Sequence, residues 1–404
     1  MKKLSVLILG IVFISCSSNN GAPSFPKADQ LIQQLQETAS ISDETTRKTR
    51  IDAIWDSLTV NKLIPLTEDS IALFLYRGEA GSVSWNGDFN SWSGDKRVDT
   101  QGSNIMGTDI WFLKMNFPSD ARLDYKITIE NENWILDPAN PHQQWSGFGP
   151  NSELRMPDWK EEPLTKTMEE AGKGSLSAYK LIESDNLGYE VRYRVYTPAG
   201  YENFENLPVL YVTDGQEYSD EQLGATTIVL DNLIHLQKIE PVIAVFVEPL
   251  NPDNPDENRR MDEFGNNEEY LAFYIEELIP EIERSYKVIA DKDNRGILGT
   301  SLGGLNATYF AFTEPDVFGA AAIQAPAYWF REEIYDLVRN YEGEQPKLYM
   351  STGTIGDNTE ESRLMKSIFE EKNYSFEYLE VNEGHSWGAW SAQMDDILVY
   401  FYGN

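Results

Sequence analysis

The sequence predicts an α/β domain built on a doubly wound sheet, preceded by a small immunoglobulin-like β-sandwich domain. Three observations carry that prediction. Residues 67–160 hold short strand-like runs separated by Gly, Asn and Asp clusters. From residue 179 to residue 404, apolar runs of strand length alternate with segments of helical spacing. Between the two patterns, residues 161–178 are mostly polar and read as a linker. A chain of 404 residues leaves room for two such units.

The chain opens with Lys2 and Lys3, followed by an apolar run over residues 4–14 that is too short to span a bilayer as a stable helix. It ends in Phe13-Ile14-Ser15-Cys16 and the polar run Ser17-Ser18-Asn19-Asn20. This layout resembles the lipobox of bacterial lipoproteins, in which cleavage before the cysteine leaves a diacylglycerol on its sulfur. The resemblance implies that residues 1–16 are a signal peptide with a lipidated Cys16. It also implies a chain anchored to a membrane of the bacterial cell envelope, at its periplasmic face or on the outer-membrane surface. Each buried CH₂ of an acyl chain contributes about 0.8 kcal/mol, so such a protein is tethered and not embedded. Cys16 is the only cysteine. Once it is lipidated, disulfides, zinc–thiolate sites and cysteine nucleophiles are excluded. The net charge of −33, two units more negative without Lys2 and Lys3, excludes nucleic acid as a partner and disfavours an anionic membrane surface. A solvated acidic exterior accounts for it.

Residues 17–66 read as a tether and short helices. The tether is small and polar over 17–26; Leu31, Ile32 and Leu35, then Ile51, Ile54, Trp55 and Leu58, recur at helical spacing around a polar break at 40–46. In the sandwich region, Ile71, Leu73 and Leu75 alternate with their neighbours, and Val83, Trp85, Trp111-Phe112-Leu113 and residues 125–129 mark further strands. Six of the ten tryptophans lie between Trp85 and Trp159. A small sandwich needs large side chains, so core filling is the favoured reading, with a sugar-stacking face as the alternative. The run Trp85-Asn86-Gly87-Asp88-Phe89-Asn90-Ser91-Trp92 resembles the signature of early-set domains found beside glycan-active enzymes. Asp137-Pro138-Ala139-Asn140-Pro141 and Asn151-Ser152-Glu153-Leu154 resemble the end of the amino-terminal domain of enterochelin esterases.

In the second unit, residues 190–196 alternate charged and apolar side chains as an antiparallel strand would, whereas 208–213 and 242–247 are apolar runs of the buried parallel kind. Residues 225–236 read as the crossover helix between them, and 268–286 as a longer helix. Strands follow at 296–299, 320–324 and 347–351, and a final helix near 394–401.

The sharpest chemical signal is Gly299-Thr300-Ser301-Leu302-Gly303-Gly304, set between an apolar strand and a helical run of small residues. This is the layout of a nucleophile elbow: the serine occupies a strained strand-to-helix turn, and the flanking glycines let the chain bend without clashes. Chains of the α/β-hydrolase fold place the serine first and the histidine last. Of the three histidines, His142 lies in the sandwich region and His235 precedes the serine, which leaves His385 as the general base. Asp357 lies in the loop after the strand that precedes His385's own strand, where the orienting acid sits; Glu360 and Glu361 are its rivals. The Leu302 N–H is the expected first oxyanion donor. The second is expected from the loop after 210–212, at Gly215 or Gln216, with Asp214 a possible turn residue.

Residues 179–402 resemble the esterase-D-like group of α/β-hydrolases. That group includes feruloyl and acetylxylan esterases, enterochelin esterases and mycolyltransferases. The matching pieces are Tyr211-Val212-Thr213-Asp214-Gly215, the segment 259–264, Leu278-Ile279-Pro280, the Ser301 elbow and Gly384-His385-Ser386-Trp387. The resemblance implies an α/β-hydrolase doubly wound sheet, a triad of Ser301, Asp357 and His385, and hydrolysis of carboxylic esters through an acyl-enzyme. It implies no metal and no organic cofactor. The expected partner is a small-molecule or oligosaccharide ester, with carbohydrate-linked feruloyl or acetyl esters first and an enterochelin-type trilactone as the alternative. Arg259 and Arg260 are candidate substrate contacts, or ion-pair partners of Asp262 or Glu263; Trp387, beside the base, is a further candidate contact. A reading of another class is a catalytically inert, glycan-binding lipoprotein. Acyl transfer to an acceptor other than water would use the same residues.

Overall fold

The structure, a computed structural model, describes residues 27–254 and 256–404. Cys16 and the tether lie outside the described residues. The first elements are the helices Ala28–Ala39 and Glu44–Val60, the second capped by Asp43, whose carboxylate accepts the Thr46 N–H at 2.9 Å. Their apolar positions, Leu31, Leu35, Ile51 and Leu58, are buried against Leu73, Leu75 and Ile110 of the adjoining sheet.

Two antiparallel sheets follow. One carries Leu66–Glu68, Ile71–Arg77, Ile110–Asn116 and Ser103–Asn104 in that order; the other carries Val83–Gly87, Arg122–Ile129, Gly149–Arg155 and Gln143–Ser146, with Asn133–Ile135 paired to the second strand. Phe74, Trp85, Trp111, Leu123, Tyr125 and Ile127 fill the space between them. The tryptophans therefore divide. Trp85 and Trp111 belong to the core, while Trp134 and Trp145 remain exposed.

The larger sheet has nine strands. Their order is Ser175–Leu176, Glu190–Thr197, Ile243–Glu248, Val209–Val212, Arg295–Thr300, Ala320–Gln324, Lys347–Gly353 and Phe376–Val381, with Lys180–Glu183 also paired to Glu190–Thr197. Pairing is parallel from Ile243–Glu248 onward and antiparallel at the first edge. The parallel strands are buried on both faces, which is why they read as continuous apolar runs. One face packs on Tyr270, Tyr274, Phe310 and Ile334, the other on Val229, Leu233, Ile397 and Leu398.

Two expectations change in detail. The linker is not a free connector: Ser175–Leu176 joins the sheet edge, and Asn232 Nδ2 donates to the carbonyls of Leu164 and Lys166 at 2.8 Å each. The long helix expected over 268–286 is interrupted by a π-helical segment, Phe273–Leu278, between Glu268–Ala272 and Ile279–Ser285.

Val209–Val212 and Arg295–Thr300 are neighbours, and the chain leaves the first toward Ile243–Glu248 on one side and the second toward Ala320–Gln324 on the other. Such a switch point opens a crevice at the carboxyl ends of the strands. The loops after Val212 and Thr300 flank it.

Candidate active site

The elbow forms at this crevice. Ser301 joins the strand Arg295–Thr300 to the helix Leu302–Thr313 with φ 59° and ψ −118°. A non-glycine residue held there costs about 1–3 kcal/mol, so surrounding bonds must enforce it. They do: the Ser301 N–H donates to the Gln324 carbonyl, and the Ser301 carbonyl accepts from Ala327, both at 2.9 Å. Gly299 and Gly303 are required by crowding, because a Cβ on either would stand 2.5 Å from the Thr213 hydroxyl.

His385 follows the strand Phe376–Val381 and points its Nε2 at Ser301 Oγ, 3.0 Å away. Its Nδ1 lies 2.6 Å from Asp357 Oδ1. The Asp357 side chain is fully buried and also accepts from Gly353 N–H at 2.6 Å and Asn358 N–H at 2.7 Å. Burial alone would raise its carboxyl, but the adjacent His385 and these donors outweigh it and hold the group below the usual carboxylate range. The rivals do not reach the site: Glu360 and Glu361 open the helix Thr359–Glu371, and Glu360 pairs with Arg363 on the surface. His142 sits beside the second antiparallel sheet and His235 ends the helix Thr226–His235.

Leu302 begins its helix, so its N–H has no intrahelical acceptor. Gly215 and Gln216 likewise begin the short helix Gly215–Tyr218, entered through Asp214 at φ 50°. Among the described residues these three amides donate to no protein group. Strands Val209–Val212 and Arg295–Thr300 are parallel neighbours, so both helix starts lie at the same end of the sheet. Preorganised amides of this kind are what a developing oxyanion needs.

The charged neighbours depart from expectation. Arg260 pairs with neither Asp262 nor Glu263; its Nε donates to Asp214 Oδ1 at 2.8 Å and its Nη2 to the Thr300 carbonyl at 3.0 Å. It braces the elbow. Arg259 lies with its guanidinium 3.8 Å from the centre of the Tyr189 ring and pairs with Glu257 at 3.4 Å. Trp387 is corrected more sharply. It is 3% exposed, packs edge-on against Tyr218, and donates its indole N–H to Glu217 Oε2 at 2.9 Å. An indole with a buried polar partner is satisfied internally, so Trp387 is a buried neighbour of the base and offers no exposed face.

Several supporting residues escaped the sequence. Gln324 Oε1 accepts from the Tyr218 hydroxyl at 2.7 Å while its Nε2 donates to the Trp390 carbonyl at 3.0 Å. Burial and the neighbouring Asp214 carboxylate push the Glu217 carboxyl up to about 7. No local signal distinguishes these residues, because each is defined by partners distant in the chain. Among the described residues no cluster of His, Cys, Asp or Glu is arranged to hold a metal ion, and no helix is long and apolar enough to cross a membrane.

The parallel sheet, its switch-point crevice and the strand–serine–helix turn define an α/β-hydrolase-like fold. A family model described as "Putative esterase" matches residues 184–401, and the chain belongs to that esterase family. It is 32% identical over 253 residues to an endo-1,4-beta-xylanase/feruloyl esterase of Xylanibacter ruminicola, covering 58% of this chain and 33% of that protein. It is 26% identical over 223 residues to an iron(III) enterobactin esterase of Escherichia coli, covering 53% of this chain and 52% of that one. The chain thus spans about a third and about half of these relatives. The crystal structure of a ferric enterobactin esterase from Salmonella typhimurium matches with a TM-score of 0.68 at 18% identity, over 82% of this chain and 93% of that chain. At that identity the likeness is one of fold.

Proposed function

We propose that this protein is a serine carboxylic-ester hydrolase that works through an acyl-enzyme. The observation that carries the reading is the continuous chain from Ser301 Oγ to His385 Nε2 at 3.0 Å and from His385 Nδ1 to Asp357 Oδ1 at 2.6 Å. His385 takes the Ser301 proton as Oγ attacks the ester carbon, and the negative oxygen is received by Leu302 N–H with Gly215 or Gln216. The proton then passes to the leaving alcohol. Water repeats the sequence to release the acid. Asp357 holds the ring tautomer and stabilises the imidazolium.

For substrate we propose a carbohydrate-linked feruloyl or acetyl ester. Two observations support it. The identity to the feruloyl esterase relative exceeds that to the enterobactin esterase relative. Arg260 and Arg259 are both engaged by protein groups in a chain of net charge −33, which disfavours a strongly anionic ligand. The second reading, a siderophore trilactone esterase, is favoured by the structural match, which covers 82% of this chain and 93% of that one. We also propose that the two antiparallel sheets form an immunoglobulin-like sandwich, and that Cys16 anchors the protein to the cell envelope through lipid.

Fluorophosphonate labelling should modify Ser301 in the wild type and fail in Ser301→Ala. Labelling that persists in the variant overturns the mechanism, and an unlabelled wild type would leave the inert glycan-binding reading. A panel of feruloylated and acetylated xylo-oligosaccharides against catecholate trilactones decides the substrate. Faster turnover of the trilactones would reverse our choice. Detergent-phase partitioning of the full chain, lost in Cys16→Ser, tests the anchor.

A further inference from the structure

The loops that carry His385 and Asp357 are gripped by the antiparallel unit, and the grip centres on one side chain. Arg122, at the start of Arg122–Ile129, is 1% exposed. Its Nε donates to Glu153 Oε1 at 2.6 Å and its Nη2 to Asp124 Oδ1 at 2.5 Å, both within its own unit. Its Nη1 reaches across to Ser386 Oγ at 2.9 Å and Glu383 Oε2 at 3.3 Å, the residues on either side of Gly384-His385. Its backbone N–H donates to the Asn382 carbonyl at 3.2 Å.

We propose that Arg122 is a positioning residue for His385, and that the antiparallel unit is thereby a working part of the esterase site. The proposal rests on the triad reading above. A cluster of one arginine and three carboxylates buried at a domain contact is a poor source of stability, since desolvation offsets most of the attraction. What the planar guanidinium supplies is direction: donors in a fixed fork that locate Ser386 and Glu383 together. Packing repeats the message. A Cβ at Gly388 would overlap the Arg122 guanidinium, one at Gly384 would overlap the Asp88 carboxyl, and one at Gly356 would overlap the Asp88 carbonyl. Arg122 and Asp88 thus sit directly against the chain that bears the base and against the residue preceding the acid. Glu383 completes the link, because its carbonyl accepts the Ile355 N–H at 3.2 Å and its carboxylate accepts the Trp159 indole N–H at 3.2 Å.

The test uses the full chain with Arg122→Lys, Ser386→Ala and, as a control on a surface ion pair of the antiparallel unit with the first helix, Lys114→Met. Turnover of an aryl ester is normalised to sites titrated by fluorophosphonate. Misplacement of a catalytic group by about 1 Å costs on the order of a hundredfold. Arg122→Lys and Ser386→Ala should therefore lower kcat per titrated site by about tenfold to a hundredfold, with KM within about twofold of wild type and the control unchanged. Wild-type kcat per site in both variants, even with a lower melting temperature, would make Arg122 a structural clip and overturn the inference. Should Arg122→Lys not fold, Ser386→Ala decides alone. A wild-type protein that neither turns over esters nor is labelled overturns the triad reading and this inference with it.

Discussion

The imidazole of His385 stands edge-on against the indole of Trp390, with ring centroids 4.8 Å apart and planes at 88°. Trp390 in turn meets Trp387 at 5.1 Å and 85°. The base is therefore held by a hydrogen bond at each nitrogen and by an aromatic wall on one side.

Removing that wall should loosen the base and leave a void. Trp390 is 7% exposed, and truncating a buried aromatic costs about 3–5 kcal/mol. Trp390→Ala should lose stability in that range by urea melts and lower kcat more than KM changes; unaltered kcat would show that the ring does not help to place His385.

Ser301→Gly should separate chemistry from strain. The positive φ of Ser301 is tolerated by glycine, so urea melts should show a gain of about 1 kcal/mol. Ester turnover should fall by at least about four orders of magnitude. A variant less stable than wild type would mean that the turn stores no strain.

Asp357→Asn should lower kcat by about 10⁴, through loss of the tautomer that presents Nε2 to the serine. It should also change the acid limb of stability. The folded carboxyl lies below its unfolded value, so its contribution is present above the unfolded pKa and disappears as pH falls through the folded one. Urea midpoints between pH 2 and pH 5 should slope less steeply in the variant than in wild type.

Glu217 predicts the opposite sign. Its carboxyl stands at about 7 in the folded protein against 4.5 in the unfolded chain. The folded state binds the proton more tightly, so stability falls as pH rises from about 4.5 through 7. Glu217→Gln should remove that loss and raise stability above pH 7 by on the order of 1–2 kcal/mol, allowing for solvent screening. Equal urea midpoints for the two proteins at pH 8 would contradict it.

The parallel strands were legible because burial on both faces leaves unbroken apolar runs such as 208–213 and 242–247. The elbow was legible because a bend that admits no Cβ at Gly299 or Gly303 writes glycines into adjacent positions. With three histidines, chain order alone singled out His385. Asp357 emerged from its place after a strand. The sequence also offered Trp387 and Arg259 as substrate contacts but not their protein partners, Glu217 and Tyr218 for one and Tyr189 for the other, because neighbourhood in the chain says nothing about which way a side chain turns.

Local pattern by itself therefore determined the class of fold and the bent serine, since each depends on residues within a turn or an element of one another, and chain order among three histidines added His385. Tertiary structure alone decided what holds them. Arg122 and Ser386 are 264 positions apart, and Arg122 and Glu383 are 261 apart. Contacts of that separation leave no periodicity to read, because they arise only when two independently patterned units close on each other and must satisfy their buried charges together.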